Sequence, residues 1–417
     1  MTTEVKKSLK ECNNLITPSL RQKLQLSNPV IPKLYCLPKI HKPGKSVRPI
    51  VSAIGSPTYN LSKWLTNEFE NLPIAQTRFS VKNSSEFIDY IKNIQLQEGE
   101  ILVSFDVCSL FPSVPIPQTL DYLRELLELN GLDDKIIKEY IGLLYNGEYF
   151  QQHEGTAMGN SLSPFIANRF MSKIETEVKD KFEYFPRVWF RYVDDIFAVF
   201  NRKAISLDNF VAKLNNRFPT INFTYEVEHN EQLPFLDVLV IRNSENKLEF
   251  DVYRKETATL RYIPNDSHQP FQHKMASFNF LIHRLLNFPL SKERFEHEKQ
   301  LIKNIAKSNG YSVHLIDKLI RKHKFKRTLY NSTTFRRDTD NSKFASLPYE
   351  PKFTRGLDTI FKNININLVY NSKNKLQTLL GKPKDKIDNN EKSGIYEISC
   401  KDCDQKYIGQ TKKIYID

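Results

Sequence analysis

Two kinds of apolar pattern alternate along the chain. Short continuous apolar runs are separated by longer stretches in which apolar residues recur every three or four positions. The run 101–107 is short and apolar, and 188–200 is apolar on both sides of an acid pair; both are rich in β-branched and aromatic residues, which predicts buried strands. Asp194 and Asp195 interrupt the second run, so it reads as a hairpin with acids at its tip. Helical spacing predicts helices over 57–72, 84–97, 117–129, 133–145, 161–183 and 206–217. Pro164 falls in the first turn of the fifth, where proline is tolerated. Strands are expected near 221–228, 235–241 and 248–254, and residues 274–325 are mostly helical in pattern. Pro43-Gly44 marks the turn of a hairpin over 32–55. Residues 1–31 are polar with a weak helical pattern, and 331–350 read as a linker. Strands interleaved with helices, then a β-rich stretch, predict an α+β domain rather than a doubly wound sheet.

Composition narrows the class. Forty per cent hydrophobic residues can bury a substantial core over 417 residues. No apolar run approaches the ~18 residues of a membrane span, and the polar N-terminus is unlike a signal peptide. The cysteines are five, sparse and odd in number, and the scatter of Cys12, Cys36 and Cys108 implies no disulfide framework and suits a reducing, intracellular location. The net charge of +13 is unevenly placed. Residues 1–255 hold 31 basic and 31 acidic side chains, whereas 256–330 hold 14 and 6. The excess therefore lies behind the apolar–acidic segments, which points to a polyanionic partner. Arg321-Lys322-His323-Lys324-Phe325-Lys326-Arg327 is its sharpest feature and reads as a nuclear-localisation patch, a phosphate-backbone contact or a solvated helix end.

The chemistry begins with carboxylates. Asp106 near a strand end and Asp194-Asp195 at a hairpin tip can meet on one sheet. Clustered acids repel unless cations sit among them, and hard oxygen ligands suit Mg2+. Two such ions about 4 Å apart would clamp the attacking and leaving oxygens of a phosphoryl transfer.

Tyr192-Val193-Asp194-Asp195 resembles the polymerase signature of reverse transcriptases, and Phe105-Asp106-Val107-Cys108-Ser109-Leu110-Phe111 is similar to that family's first catalytic segment. The segment 155–164 resembles its template- and nucleotide-contacting loop, and 37–52 its fingers hairpin. Within that superfamily the chain resembles Penelope-like retroelements, through Leu233-Pro234-Phe235-Leu236-Asp237, Tyr253-Arg254-Lys255, Asn309-Gly310-Tyr311, and a C-terminal Gly394-Ile395-Tyr396 with Tyr407-Ile408-Gly409. The last pair is similar to the start of a GIY-YIG endonuclease.

The resemblance implies an RNA-directed DNA polymerase with a right-hand architecture. An N-terminal extension (1–31) would precede fingers and an antiparallel palm (32–255). A basic helical thumb (256–330), a linker and connector (331–392) and a partial nuclease start (393–417) would follow. Asp106 and Asp194 would be the chief ligands of two Mg2+ ions, with the backbone of Val107 completing a shell and Asp195 in the same cluster. Arg48, with Lys45 or Lys39, would meet the triphosphate of a dNTP. Phe111 would act as a steric gate against a ribose 2′-hydroxyl, or serve as ordinary core. Gly159 would let backbone approach nucleotide or template. Arg254, Lys255, Arg321, Lys322, Lys324, Lys326 and Arg327 are the expected contacts to an RNA template and DNA primer.

Cys400 and Cys403 have the spacing of half a zinc site. Tyr396 and Tyr407 stand without the downstream Arg and Glu that such nucleases use, so no nuclease activity is expected from this polypeptide, which reads as a truncated element copy or a partial gene model. A nuclear location follows from what such elements do. Two other readings compete: a remnant that binds nucleic acid without polymerising, and an RNA-dependent RNA polymerase, which Phe111 and the Tyr-Val-Asp-Asp form disfavour.

Overall fold

The structure is a computed structural model that describes residues 2–38, 47–72, 78–144, 155–332, 343–371, 394–399 and 406–411. Two helices, α1 (Thr2–Glu11) and α2 (Pro18–Leu24), lead into an antiparallel hairpin of β1 (Lys33–Pro38) and β2 (Val47–Ser52). Then come α3 (Tyr59–Asn71), α4 (Ser84–Ile91), β3 (Glu100–Cys108), the single turn α5 (Leu110–Ser113), α6 (Ile116–Leu129), α7 (Asp134–Leu144) and α8 (Ser163–Lys181). A second hairpin, β4 (Val188–Tyr192) and β5 (Asp195–Asn201), is followed by α9 (Leu207–Arg217) and β6 (Asn222–Val227). Strands β3 to β6 form one antiparallel sheet in the order β4-β5-β3-β6.

Alternation along these strands sends side chains to two different layers. Ile101, Val103, Phe105, Val107, Ile196, Ala198, Phe200 and Phe223 pack with α6, α8 and α9 in the larger core. Phe210 of α9 is its aromatic hub, with the rings of Phe105, Trp189 and Phe200 5.5–6.4 Å away. Leu102, Val188, Phe197 and Val199 face the other way, into a second core. That core is closed by α4 and by a three-stranded antiparallel sheet of β7 (Gln232–Phe235), β8 (Val238–Arg242) and β9 (Leu248–Val252).

Helices α10 (Phe271–Asn287), α11 (Lys292–Ser308) and α12 (Val313–Ser332) pack around Phe278, Leu281, Ile282, Ile302, Ile305 and Ile316. The turn between α11 and α12 is built by Asn309-Gly310-Tyr311. Gly310 takes φ +80°, while Asn309 and the Tyr311 hydroxyl bind the backbone of Tyr262 and Ile263. A small unit follows, with α13 (Pro351–Asn363) joining the parallel strands β10 (Lys343–Pro348) and β11 (Ile366–Asn371). Last, β12 (Gly394–Ser399) pairs antiparallel with β13 (Lys406–Thr411).

Four segments depart from the pattern-based expectation. The run 235–241 is two strands, turned at Leu236 with φ +55°. Phe235 and Val238 on its two sides are buried, so Asp237 is the one polar residue that marks it. The helix expected to reach 97 ends at Ile91, because Leu96 is apolar for a different reason: it is buried and its N–H pairs with the Asn246 carbonyl. The N-terminal segment is not a loose extension in its packing. Val5, Leu9, Cys12 and Ile16 enter the larger core, and Glu139 of α7 accepts hydrogen bonds from the Asn14 and Leu15 backbone. The polar stretch read as a linker contains β10, which is paired by backbone rather than by an apolar face.

Candidate active site

Sheet register brings the acids together. Asp106 of β3 lies directly opposite Asp195 of β5 on one side and Thr224 of β6 on the other, and Tyr192 completes the row opposite Asp195. Residues in register share a face. It is the face that the second sheet covers lower down, where Leu102 and Phe197 are buried; at the Asp106 end the side chains are open. The hairpin tip is tied across by a hydrogen bond from the Val107 N–H to the Asp194 carbonyl, 3.2 Å.

Two cavities meet at Asp106. One, of about 490 Å3, is bordered by Asp106, Val107, Phe111 and Asp194 and by Arg48, Met158 and Gly159. The other, of about 500 Å3, is bordered by Asp106, Asp195, Thr224, Tyr253 and Lys255. The first therefore joins two acids to the expected triphosphate arginine and the expected gate. The second joins three acids, Asp106, Asp195 and Glu226, to a lysine.

The segment after β3 is shaped for this. Ser109 takes φ +53° and turns the chain into α5, which places Phe111 at the cavity wall, half-buried against the larger core. Thr156 holds that wall through its N–H and hydroxyl, both donating to the Phe111 carbonyl at 2.7 and 3.2 Å. The same loop carries Gly159, at φ +112°, where a Cβ would stand 2.5 Å from the Val51 carbonyl oxygen. The Val51 N–H in turn donates to the Met158 carbonyl, 2.7 Å. Close approach at Gly159 thus serves contact with β2, the strand that carries Arg48. Gly159→Ala should cost about 1–3 kcal/mol through strained backbone and that overlap. A lowered melting midpoint together with weaker nucleotide binding is the expected measurement, and an unshifted midpoint would refute the assignment.

A buried ion pair underlies the hairpin. Arg191 is wholly buried and Glu175 of α8 is 1 % exposed. The Arg191 Nε and Nη2 donate to the two Glu175 oxygens at 2.7 and 3.1 Å, and Trp189 Nε1 donates to Oε1 at 3.2 Å. Nearby Arg169 is also buried, and burial pushes its guanidinium down to about 10. Pattern reading passed over this group, although a lone arginine inside an apolar strand signals a buried partner.

The expected nucleic-acid contacts divide. Lys255 is exposed beside the second cavity. Arg254 is not free for such contact: both its terminal nitrogens donate to Glu298 of α11. It belongs to an ionic seam between the second sheet and the helical bundle, with Arg294–Glu249 at 2.8 Å and Arg284–Asp237 at 3.5 Å. On α12, Arg321, Lys322 and Lys326 are exposed, Lys324 lies 5.8 Å over the Phe295 ring, and Arg327 donates to the Leu286 carbonyl at 2.6 Å. Lys39, Lys45, Cys400 and Cys403 lie outside the described residues. Tyr396 and Tyr407 sit in β12 and β13, opposite Gly409 and Ile398.

Among the described residues, no three His, Cys, Asp or Glu side chains converge as a ready-made metal site. The donor set still fits Mg2+. This ion keeps several waters and is held by one or two carboxylates plus substrate phosphates rather than by an all-protein cage. Asp106 and Asp194 on one cavity provide such a pair. No helix among the described residues is long and apolar enough to cross a membrane.

Residues 40–230 match the family model described as reverse transcriptase (RNA-dependent DNA polymerase), and 261–321 match that of the animal helix-turn-helix domain. The second match spans the bundle from before α10 into α12, a relation that the helical pattern alone did not disclose. No curated protein matches the chain. Solved structures similar to it include telomerase from Candida albicans with a fragment of telomeric RNA (12 % identity, TM-score 0.44, 76 % of this chain and 60 % of that one). Others are telomerase from Candida tropicalis with such a fragment (13 %, 0.40, 81 % and 58 %) and the RNA-dependent RNA polymerase of bacteriophage phi12 (12 %, 0.38, 77 % and 51 %). The chain spans at most three fifths of the length of these three relatives. Its segment 40–230, which carries Asp106, Asp194, Asp195 and Arg48, is thus similar to the reverse transcriptase (RNA-dependent DNA polymerase) family.

Proposed function

We propose that the chain is an RNA-directed DNA polymerase that extends a primer 3′-hydroxyl with deoxynucleotides. The observation that carries this reading is the meeting of two cavities at Asp106. The cavity with Arg48, Phe111 and Asp194 takes the incoming nucleotide. The cavity with Lys255 and Asp195 takes the primer end. A nucleophile and an α-phosphorus approaching from the two sides would meet over Asp106, as an in-line displacement needs.

Asp106 and Asp194, with the Val107 backbone, are the groups that would hold Mg2+. When bound, such ions lower the pKa of the 3′-hydroxyl and neutralise the leaving pyrophosphate. The protein's own groups do the rest. Arg48 pairs with the triphosphate through a charge-assisted contact. Phe111, braced by Thr156, sets the space available at the sugar. Lys255 draws the primer phosphates, and the exposed cations of α12 hold the duplex behind them. Arg48→Ala should raise KM for dNTP by about 10- to 100-fold, the value of one charged hydrogen bond. An unchanged KM would remove Arg48 from the site.

Within the family we assign the chain to the Penelope-like elements, on Leu233–Asp237, Asn309–Tyr311 and the paired strands β12 and β13. The antiparallel pairing of Tyr396 with Gly409 supports reading this end as the start of a GIY-YIG domain. The test is primer extension on poly(rA)/oligo(dT) with Mg2+ and dTTP, beside Asp194→Ala. Extension that vanishes in the variant is expected. No extension by either protein, with duplex binding that still falls steeply with salt, would favour the binding remnant instead.

A further inference from the structure

We infer that Arg191 is a positioning residue for the catalytic hairpin, acting as a strut between α8 and the backbone that presents the acids. The inference rests on the polymerase reading above. Its geometry is specific. Two nitrogens of the guanidinium are taken by Glu175, and the third, Nη1, donates to the carbonyl of Val193 at 3.2 Å. Val193 is the residue between Tyr192 and Asp194 and takes φ +58°. For a β-branched residue that conformation is strained and persists only where the surroundings impose it. Among the described residues, the Arg191 fork is the group seen to hold its carbonyl.

Arg191 itself cannot shift. Its backbone N–H donates to the Phe79 carbonyl and its carbonyl accepts from the Val81 N–H, both at 2.8 Å. Its side chain lies on the helix-covered face of the sheet, opposite Ile196, while Tyr192 and Asp195 lie on the open face. The strut therefore reaches the active site from behind and touches no substrate. Trp189, two residues earlier on the same face, donates to the same Glu175 oxygen as the Arg191 Nε and so helps to fix it. A planar fork bridging a carboxylate and a carbonyl is a task for arginine, because a lysine ammonium cannot span both partners in that fixed geometry.

The test compares Arg191→Lys, Val193→Gly and the double variant in steady-state primer extension, with melting midpoint and primer–template affinity measured on each. Lysine keeps the buried charge beside Glu175. The expected result is a fall in kcat of about 100-fold in Arg191→Lys, the scale of a misplaced reacting group. KM for dNTP and duplex affinity should stay within about twofold, since neither partner is touched by the strut. Glycine adopts φ +58° without strain, so Val193→Gly in the Arg191→Lys background should regain about tenfold in kcat. A merely structural role predicts otherwise: a lowered midpoint, a loss shared between kcat and duplex affinity, and no recovery with glycine. Either that pattern or an unchanged kcat in Arg191→Lys overturns the inference. Failure of the wild-type chain to extend any primer would instead count against the polymerase reading.

Discussion

Asp106→Asn should lower nucleotide incorporation by about a thousandfold while leaving fold and duplex binding intact. Asp106 is the one acid shared by both cavities, opposite Asp195 in register and beside Asp194 across the hairpin tip. Asparagine keeps the shape and one oxygen but removes the charge that an ion between the two substrates would require. Loss of a single preorganised electrostatic group at a reacting centre is worth about 10²–10³ in kcat, and Asp106 would serve attacking and leaving oxygens together. Binding of primer–template should hold or tighten, because one negative charge leaves a cleft that receives phosphates. Single-turnover extension and a duplex titration on the same sample separate the two effects. A loss of less than tenfold would mean that catalysis does not centre on Asp106.

Glu298→Ala should destabilise the protein by about 3–5 kcal/mol, the largest effect expected away from the cleft. The Glu298 side chain is 3 % exposed and takes both terminal nitrogens of Arg254. Removing one member of a buried pair strands the other's charge, which is where the cost lies. The neighbourhood aggravates it: burial and the adjacent Arg254 cation already press the Arg284 guanidinium below its usual range. Replacing both partners, Arg254→Met with Glu298→Leu, should recover most of the loss, since an apolar pair of similar volume often matches a buried ion pair. Denaturant midpoints of the three proteins decide the matter. A single-variant loss under about 1 kcal/mol would show that the seam between sheet and bundle is solvated in practice. The same measurement explains why Arg254 makes a poor phosphate contact, whereas Lys255, one position on, turns toward the cleft.

The central sheet and the acids were legible because each signal was local. Apolar runs of strand length flank Asp106 and the Asp194-Asp195 pair, and these acids stand where the sheet opens. Arg48, Phe111 and Gly159 were legible as a group only through family resemblance, since they converge from three segments distant along the chain. Partnerships between elements were not legible. Nothing in the local pattern around Arg254 says that Glu298 lies across from it, nor does Arg191 announce Glu175. The division at Leu236 was hidden because burial on both sides erased the period. The first helix gave only a weak helical pattern for the opposite reason: Val5 and Leu9 bury a narrow stripe on a segment that is polar overall.

Register along β5 also sets how this domain can change over generations. Side chains alternate faces, so deleting Val193 from the hairpin tip would turn every later side chain of the strand over. An aspartate would then point into the helix-packed layer and an isoleucine into the cleft. Amino-acid composition and overall hydropathy would hardly change, and an inventory of motifs could still count the acids. For lineages descending from this gene, a change in the parity of one short loop is therefore a sharper mark of lost activity than many substitutions elsewhere.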